Sequence, residues 1–423
     1  MPKAYLGMPR TATGMASAKI LLVIFDGLGD RPLTELGHKT PLESARKPNL
    51  DWFAANGING LLDPIAPGIV AGSDTSHLAL FGYDPHEVYT GRGPFEAAGV
   101  GIDLQAGDIA FRGNFATVDD EMRITDRRAG RIREGTEELA KALDGIRLGR
   151  IRAIVRAGTE HRVALVLRGR GLSPKVTDTD PHEEGAEVLD SKPLEASAKT
   201  TAKAVNAFTK QAHRLLKGHA VNRARTAKGE PPANTIVLRG AGVFPEIVPL
   251  PERLHLKAAG IAGVALIRGM FRTVGMDVID VPGATGGLDT DMTAKADAAL
   301  RALRSYDLVV LHVKAPDLCG HDGKASEKIH VIERLDAMMG HLKGKLPADV
   351  VVGITADHST PVSVKDHSGD PVPLTIFGEG LRVDDVGTFD ERSAARGALG
   401  RVRGQDLMNL LLDAANRTEK FGA

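Results

Sequence analysis

The chain has 423 residues, more than one ordinary hydrophobic core accommodates, so two domains are expected. Lysine plus arginine and aspartate plus glutamate each number 54, which offers no basic footprint for nucleic acid, and the apolar runs are strand-length, far short of the roughly 20 residues that cross a bilayer. A single cysteine, Cys319, excludes an intramolecular disulfide and fits a reducing cytosol.

Residues 1–18 lack an apolar stretch of signal-peptide length and read as a flexible tail, with a transit peptide as the lesser alternative because acidic residues are absent there. The run ILLVIF is apolar on both faces, as a strand in a helix-covered parallel sheet is, and it ends at Asp26-Gly27. In VAGSDTSHLALFGYDP the spacing predicts a helix start, with Ser73 at its N-terminus and Thr75 and Ser76 deeper in the first turn, where capping or packing is expected. His77, at helical spacing, is expected to be structural. From about residue 87 to about 247 the strands shorten and arginine recurs, as in RITDRRAGRIRE, so this segment reads as a smaller α/β domain inserted into the first. Residues 19–86 and 248–423 then form the larger domain. TAKADAALRALRSY has helical periodicity and leads into the strand DLVVLHV, followed by APDLCGHDG. KIHVIERLDAMMGHLKGKL repeats the pattern before DVVVGIT, which ends just ahead of Ala356-Asp357-His358. Strand, helix, strand in series is the signature of an α/β fold.

Ligands in such sheets gather at the carboxyl ends of strands, and three strand ends here run into loops bearing aspartate. They supply Asp26; Asp317 with His321; and Asp357, His358 and His367. Carboxylates and imidazoles suit divalent manganese, zinc or magnesium, histidine favouring the first two, and such groups could hold two ions about 4 Å apart. One aspartate after a strand is an ordinary turn residue; the recurrence at one structural place carries the signal. His312, His330 and His341 lie within strand or helix patterns and are read as structural. A hydroxyl is a weak nucleophile unless a base or a metal activates it. At a helix N-terminus beside two metals, Ser73 would be so activated, and the helix amides could receive a phosphate; Ser73 ranks first, with Thr75 as the alternative. GRGPFEAAGVG has neither the Walker lysine nor dinucleotide spacing, so no nucleotide loop is read there.

Together with IFDGLGDRP, YTGRGPFEAAGVG, FRGNFATVD, DRRAGRI, PGATGGLDTD, HVKAPDLCGHDG and TADHSTPVSVKDHSGDPVP, these motifs run from about residue 20 to about residue 378. In them the chain resembles the archaeal-type cofactor-independent phosphoglycerate mutases, in the alkaline phosphatase superfamily. The resemblance implies an alkaline-phosphatase-like α/β core with a mainly parallel sheet flanked by helices, plus the inserted domain. It implies Ser73 as the phosphorylated nucleophile, one metal on Asp26, Ser73, Asp357 and His358, and a second on Asp317, His321 and His367. Manganese is the first expectation, with magnesium or zinc as alternatives; neither a nucleotide nor 2,3-bisphosphoglycerate is required.

The inserted domain would hold the glycerate through arginines, whose planar forks match carboxylate and phosphate. The candidates are Arg127, Arg128 and Arg131 in DRRAGRI, Arg162 and Arg239; Arg268, in the larger domain, stands where the family would have lysine and suits holding the phosphate. Asp126 is the candidate acid/base. The implied reaction interconverts 3- and 2-phosphoglycerate through phosphoserine, in a cleft between the domains closed to water, as part of glycolysis and gluconeogenesis in the cytoplasm. Alternatives on the same metal core are a phosphatase, a phosphopentomutase-like or homoserine-kinase-like phosphotransferase, and a non-catalytic scaffold. The partner is a small phosphorylated acid, with no nucleic acid and no membrane, and the composition leaves the oligomeric state open.

Overall fold

The run that begins at Ile20 forms the strand Lys19–Phe25, buried on both faces from Ile20 onward. In the computed structural model, which describes residues 17–418, 420 and 422, this strand is the centre of the larger of two units, Met1–Glu87, Val248–Val264 and Val274–Ala423. The tail expected over residues 1–18 falls, up to residue 16, outside the described residues. Lys19–Phe25 pairs in parallel with Leu308–Val313 on one side and Val350–Thr355 on the other, and both neighbours are buried along their whole length. Across the eight-stranded sheet the order is Asp277–Val278, Ala258–Ile261, Leu308–Val313, Lys19–Phe25, Val350–Thr355, Val372–Phe377, Ile58–Asp63 and Gly400–Arg403. Only Val372–Phe377 runs against its neighbours, so the sheet is mainly parallel.

Helices Met292–Ala302 and Ala325–Lys343 arise from the two periodic segments. The C-terminal helix Gly404–Ala414 lies directly on the sheet: a Cβ at Gly353 would meet Leu411 Cδ2 at 2.9 Å. APDLCGHDG, read above as a loop, is largely a helix, Ala315–Asp322. Pro316 suits its first turn, and Gly323, at φ 71°, ends it in the left-handed region. No described helix is long and apolar enough to cross a membrane.

The second unit comprises Val88–Ile247 and Ala265–Thr273. Its sheet is antiparallel, in the order Ile124–Asp126, Ile109–Val118, Arg162–Arg168, Ile151–Ala157 and Arg147–Leu148, with Thr235–Val243 also paired to Ile109–Val118. Helices Thr136–Leu143 and Lys199–Lys217 cover one face through Leu139, Val205 and Phe208 packed against Phe115 and Leu165. Helix Gly93–Gly99 covers the other through Ala97 against Ala110, Ala164 and Val166.

Helix Ala265–Thr273, assigned by sequence to the larger domain within 248–423, belongs instead to this unit, and Arg268 goes with it. The reason is a backbone-to-backbone helix contact that periodicity does not reveal. A Cβ at Gly269 would lie 1.7 Å from the Phe95 carbonyl oxygen, and one at Gly99 would lie 2.0 Å from that of Ala265.

Candidate active site

Helix Ser73–Leu80 starts at Ser73, and three hydroxyls divide the work of its first turn. Thr75 Oγ1 accepts from Gly72 N and donates to Gly72 O, and Ser76 Oγ donates to Gly72 O at 2.9 Å. These two are absorbed by the backbone. Ser73 Oγ instead lies 3.1 Å from Nε2 of His358, which follows the strand Val350–Thr355.

Around Ser73 the structure gathers all the first-unit residues singled out by sequence. Ligand atoms of Asp26, Asp357 and His358 lie within 4.8 Å of one another, and so do those of Asp317, His321 and His367. Asp317 and His321 share one face of their helix at i,i+4, with His321 Nε2 3.4 Å from Asp317 Oδ1, and His367 Nε2 is 3.5 Å from the same oxygen. The two sets adjoin: the rings of His358 and His367 stack at 3.6 Å.

Partners that can only accept fix the imidazole tautomers. His321 Nδ1–H donates to Lys365 O and His367 Nδ1–H to Ala71 O, which turns both Nε2 atoms toward Asp317, whose charge raises the pKa of each ring. Thr360 Oγ1–H donates to Asp317 Oδ1 at 2.8 Å, so its oxygen accepts from His358 Nδ1–H, and the lone pair on His358 Nε2 faces Ser73. Such second partners are what orient histidines that bind metals. Asp357 Oδ1 accepts from Gly27 N, whereas Asp357 Oδ2 is buried without a hydrogen-bond partner. Imidazole nitrogens, carboxylates and an unpartnered buried carboxylate oxygen make a donor set that fits divalent ions.

The charge state of the cluster follows from its crowding. Burial opposes the charge of Asp26, but Lys314 and His312 outweigh it and hold the carboxyl well below the usual range. Asp317 is likewise held low, burial being overcome by Lys314, His321 and His367. Burial and the neighbouring Asp26 charge push Asp357 the other way, upward. Burial keeps His358 neutral far below the ordinary histidine value and brings His77 down to about 4.

The second unit holds the arginines. Strand register sets Arg112 opposite Arg239 and Asn114 opposite Arg162, so the three guanidiniums share one sheet face. Arg162 donates to Asn114 Oδ1, and Arg92 and Arg112 lie 3.2 and 3.3 Å from Glu96 Oε1. Burial and the adjacent Arg92 push Arg112 down to about 9, the mark of crowded positive charge. Arg127 is bidentate on buried Asp180, which Arg239 also approaches at 3.8 Å. Arg128 and Arg131 are exposed, and Arg268 sits on helix Ala265–Thr273. Asp126 accepts from Arg128 N and Gly130 N, one with each carboxylate oxygen, and so closes the turn that carries these arginines.

Comparison with known proteins shows the family. A family model described as 2,3-bisphosphoglycerate-independent phosphoglycerate mutase matches residues 54–222. The curated enzyme of that name, numbered 1, from Methanothermobacter thermautotrophicus is 51% identical over 411 residues, covering 96% of this chain and all of the relative. The chain belongs to the 2,3-bisphosphoglycerate-independent phosphoglycerate mutase family. Its counterpart from Sulfurisphaera tokodaii is 50% identical over 415 residues, covering 97% of this chain and all of the relative. Among solved structures, the cofactor-independent phosphoglycerate mutase of Thermoplasma acidophilum superposes with a TM-score of 0.71 at 39% identity, over 94% of this chain and 100% of that one. A Pyrococcus horikoshii protein reaches 0.85 at 42% identity, over 97% and 100% of the two chains.

Sequence reasoning passed over several residues that the two clusters contain. His77 and His312 were read as structural, yet one ring nitrogen of each lies within 4.8 Å of a ligand atom of Asp357 and of the other. His312 Nε2–H donates to Asp26 Oδ2 at 2.8 Å, and His77 Nδ1–H to Ser73 O at 2.6 Å. Lys314, bonded to Asp26, and Arg92, Arg112 and Asp180 were not singled out either. The pairing of Arg112 with Arg239 is a matter of strand register, and their separation in the chain gives no local signal.

Proposed function

We propose that this chain interconverts 3-phosphoglycerate and 2-phosphoglycerate in the cytoplasm, through a phosphoserine at Ser73 and without 2,3-bisphosphoglycerate. One observation carries the reading: a serine at a helix N-terminus, its oxygen 3.1 Å from a histidine lone pair, beside two sets of carboxylates and imidazoles. Two divalent ions, manganese first, would be held by Asp26, Ser73, Asp357 and His358 and by Asp317, His321 and His367, and when bound would polarise phosphoryl oxygens and stabilise the serine alkoxide. Ser73 attacks phosphorus as the bond to the substrate oxygen breaks, with the positive end of its helix behind it. Arginines of the second unit, Arg162 and Arg239 with Arg112, hold the carboxylate and the freed glycerate, which returns its other hydroxyl to the phosphoserine. The turn at Asp126 presents Arg128 and Arg131 to the same anion, and Arg268 replaces a lysine with a group that stays charged and serves binding better than proton transfer.

The test is direct: mix the manganese-loaded protein with 3-phosphoglycerate, quench in acid and sequence the peptides by mass spectrometry. Phosphate ester on Ser73 is expected. An unmodified Ser73 with a turning-over enzyme would remove this mechanism.

A further inference from the structure

Lys314 stands between the two donor sets. Its ammonium donates to Asp26 Oδ1 at 2.9 Å and pairs with Asp317 Oδ2 at 2.6 Å, one carboxylate from each set. The carboxylates divide their oxygens accordingly. Asp317 Oδ1 faces His321, His367 and Thr360, leaving Oδ2 for the lysine; Asp26 Oδ2 is held by His312. The side chains of Asp26 and Asp317 are 0% and 2% exposed, whereas that of Lys314 is 18% exposed, so the lysine is the one member of the trio with solvent access. An ammonium has three N–H donors, and two are spent here. Lys328 shows the contrast. It is fully buried and spends its donors on Gly29 O, Asp30 Oδ2 and Thr360 O, as a lysine that only holds structure does.

We propose that Lys314 is a further catalytic residue, whose ammonium contacts the phosphoryl group in transit to and from Ser73. The inference rests on the reading above only for the identity of the substrate; any phosphoryl transfer at Ser73 would use it. Lys314 places an ammonium between the two carboxylates, beside Ser73's neighbours, where a dianionic group passes.

The sign of one measurement separates this role from a structural one. A lysine that merely spaces the carboxylates would help cations to bind, and its loss would weaken them. A lysine that serves the anion repels cations in the same site, so its loss leaves manganese binding as tight or tighter and weakens phosphate. Full-length Lys314→Met and Lys314→Gln would be titrated calorimetrically with manganese alone, then, once loaded, with inorganic phosphate. The expected result is manganese affinity no lower than in the unaltered protein and phosphate affinity reduced about tenfold or more. Weaker manganese binding in the folded variants, or phosphate affinity within about threefold of the original, overturns the proposal. Neither probe involves phosphoglycerate, so a protein that fails as a mutase yet shows the phosphate result would lose the mutase reading and keep this one.

Discussion

Ser73, Thr75 and Ser76 occupy one helical turn, and their different partners predict different losses. Ser73→Ala should lower turnover by about 10⁴-fold or more while bound manganese, measured by metal analysis, largely persists. Thr75→Val should cost about 1 kcal/mol of stability in urea melts, the worth of a helix-start hydroxyl, with turnover kept. His161 gives a pH prediction. Burial, with Arg162, Arg128, Arg112 and Arg131 near it, pushes its imidazole from 6.5 down to about 3, and neither ring nitrogen has a hydrogen-bond partner, Glu160 Oε2 lying 3.9 Å from Nδ1. The unfolded chain therefore takes up a proton near pH 6.5 that the folded chain refuses until about pH 3. This histidine's contribution is whole above pH 6.5 and is lost as pH falls through that window, at about 1.4 kcal/mol per unit. Stability measured at pH 7 and pH 5 should differ less in His161→Gln than in the unaltered protein; equal differences would contradict the assignment. At this scale the residues after strand ends were legible because strands announce themselves by composition. His312 and Lys314 were not, since a position inside or just after a buried strand reveals burial but not that the neighbour is Asp26, far away in the chain.

Elements were legible where one segment carries its own signal. The three long apolar runs gave adjacent parallel strands, and the periodic segments before two of them gave helices. Two features depended on partners instead. Val372–Phe377 runs antiparallel to both its neighbours, Val350–Thr355 and Ile58–Asp63, and nothing within its residues states a direction. Helix Ala265–Thr273 crosses into the second unit because glycines on it and on Gly93–Gly99 let two backbones touch. Gly269→Val should therefore destabilise by about 3 kcal/mol or more, because the group it would strike is a main-chain carbonyl that cannot swing away. An unchanged thermal midpoint in that variant would show the contact to be looser than described.

Across the whole molecule, the metal-ligand sets lie in one unit and the clustered arginines in the other, while the formal charge sums to zero. Net charge therefore carried no functional signal; the distribution did. Ions bound only by the folded chain stabilise it by mass action, so chelation should lower the melting temperature along with activity, and manganese should restore both. The most direct measurement couples 3-phosphoglycerate to enolase and follows phosphoenolpyruvate, with manganese present and 2,3-bisphosphoglycerate withheld, and repeats the assay after chelation. The account predicts turnover without the bisphosphate, abolished by chelation and restored by manganese. Release of free phosphate without 2-phosphoglycerate, or turnover indifferent to chelation, would contradict it.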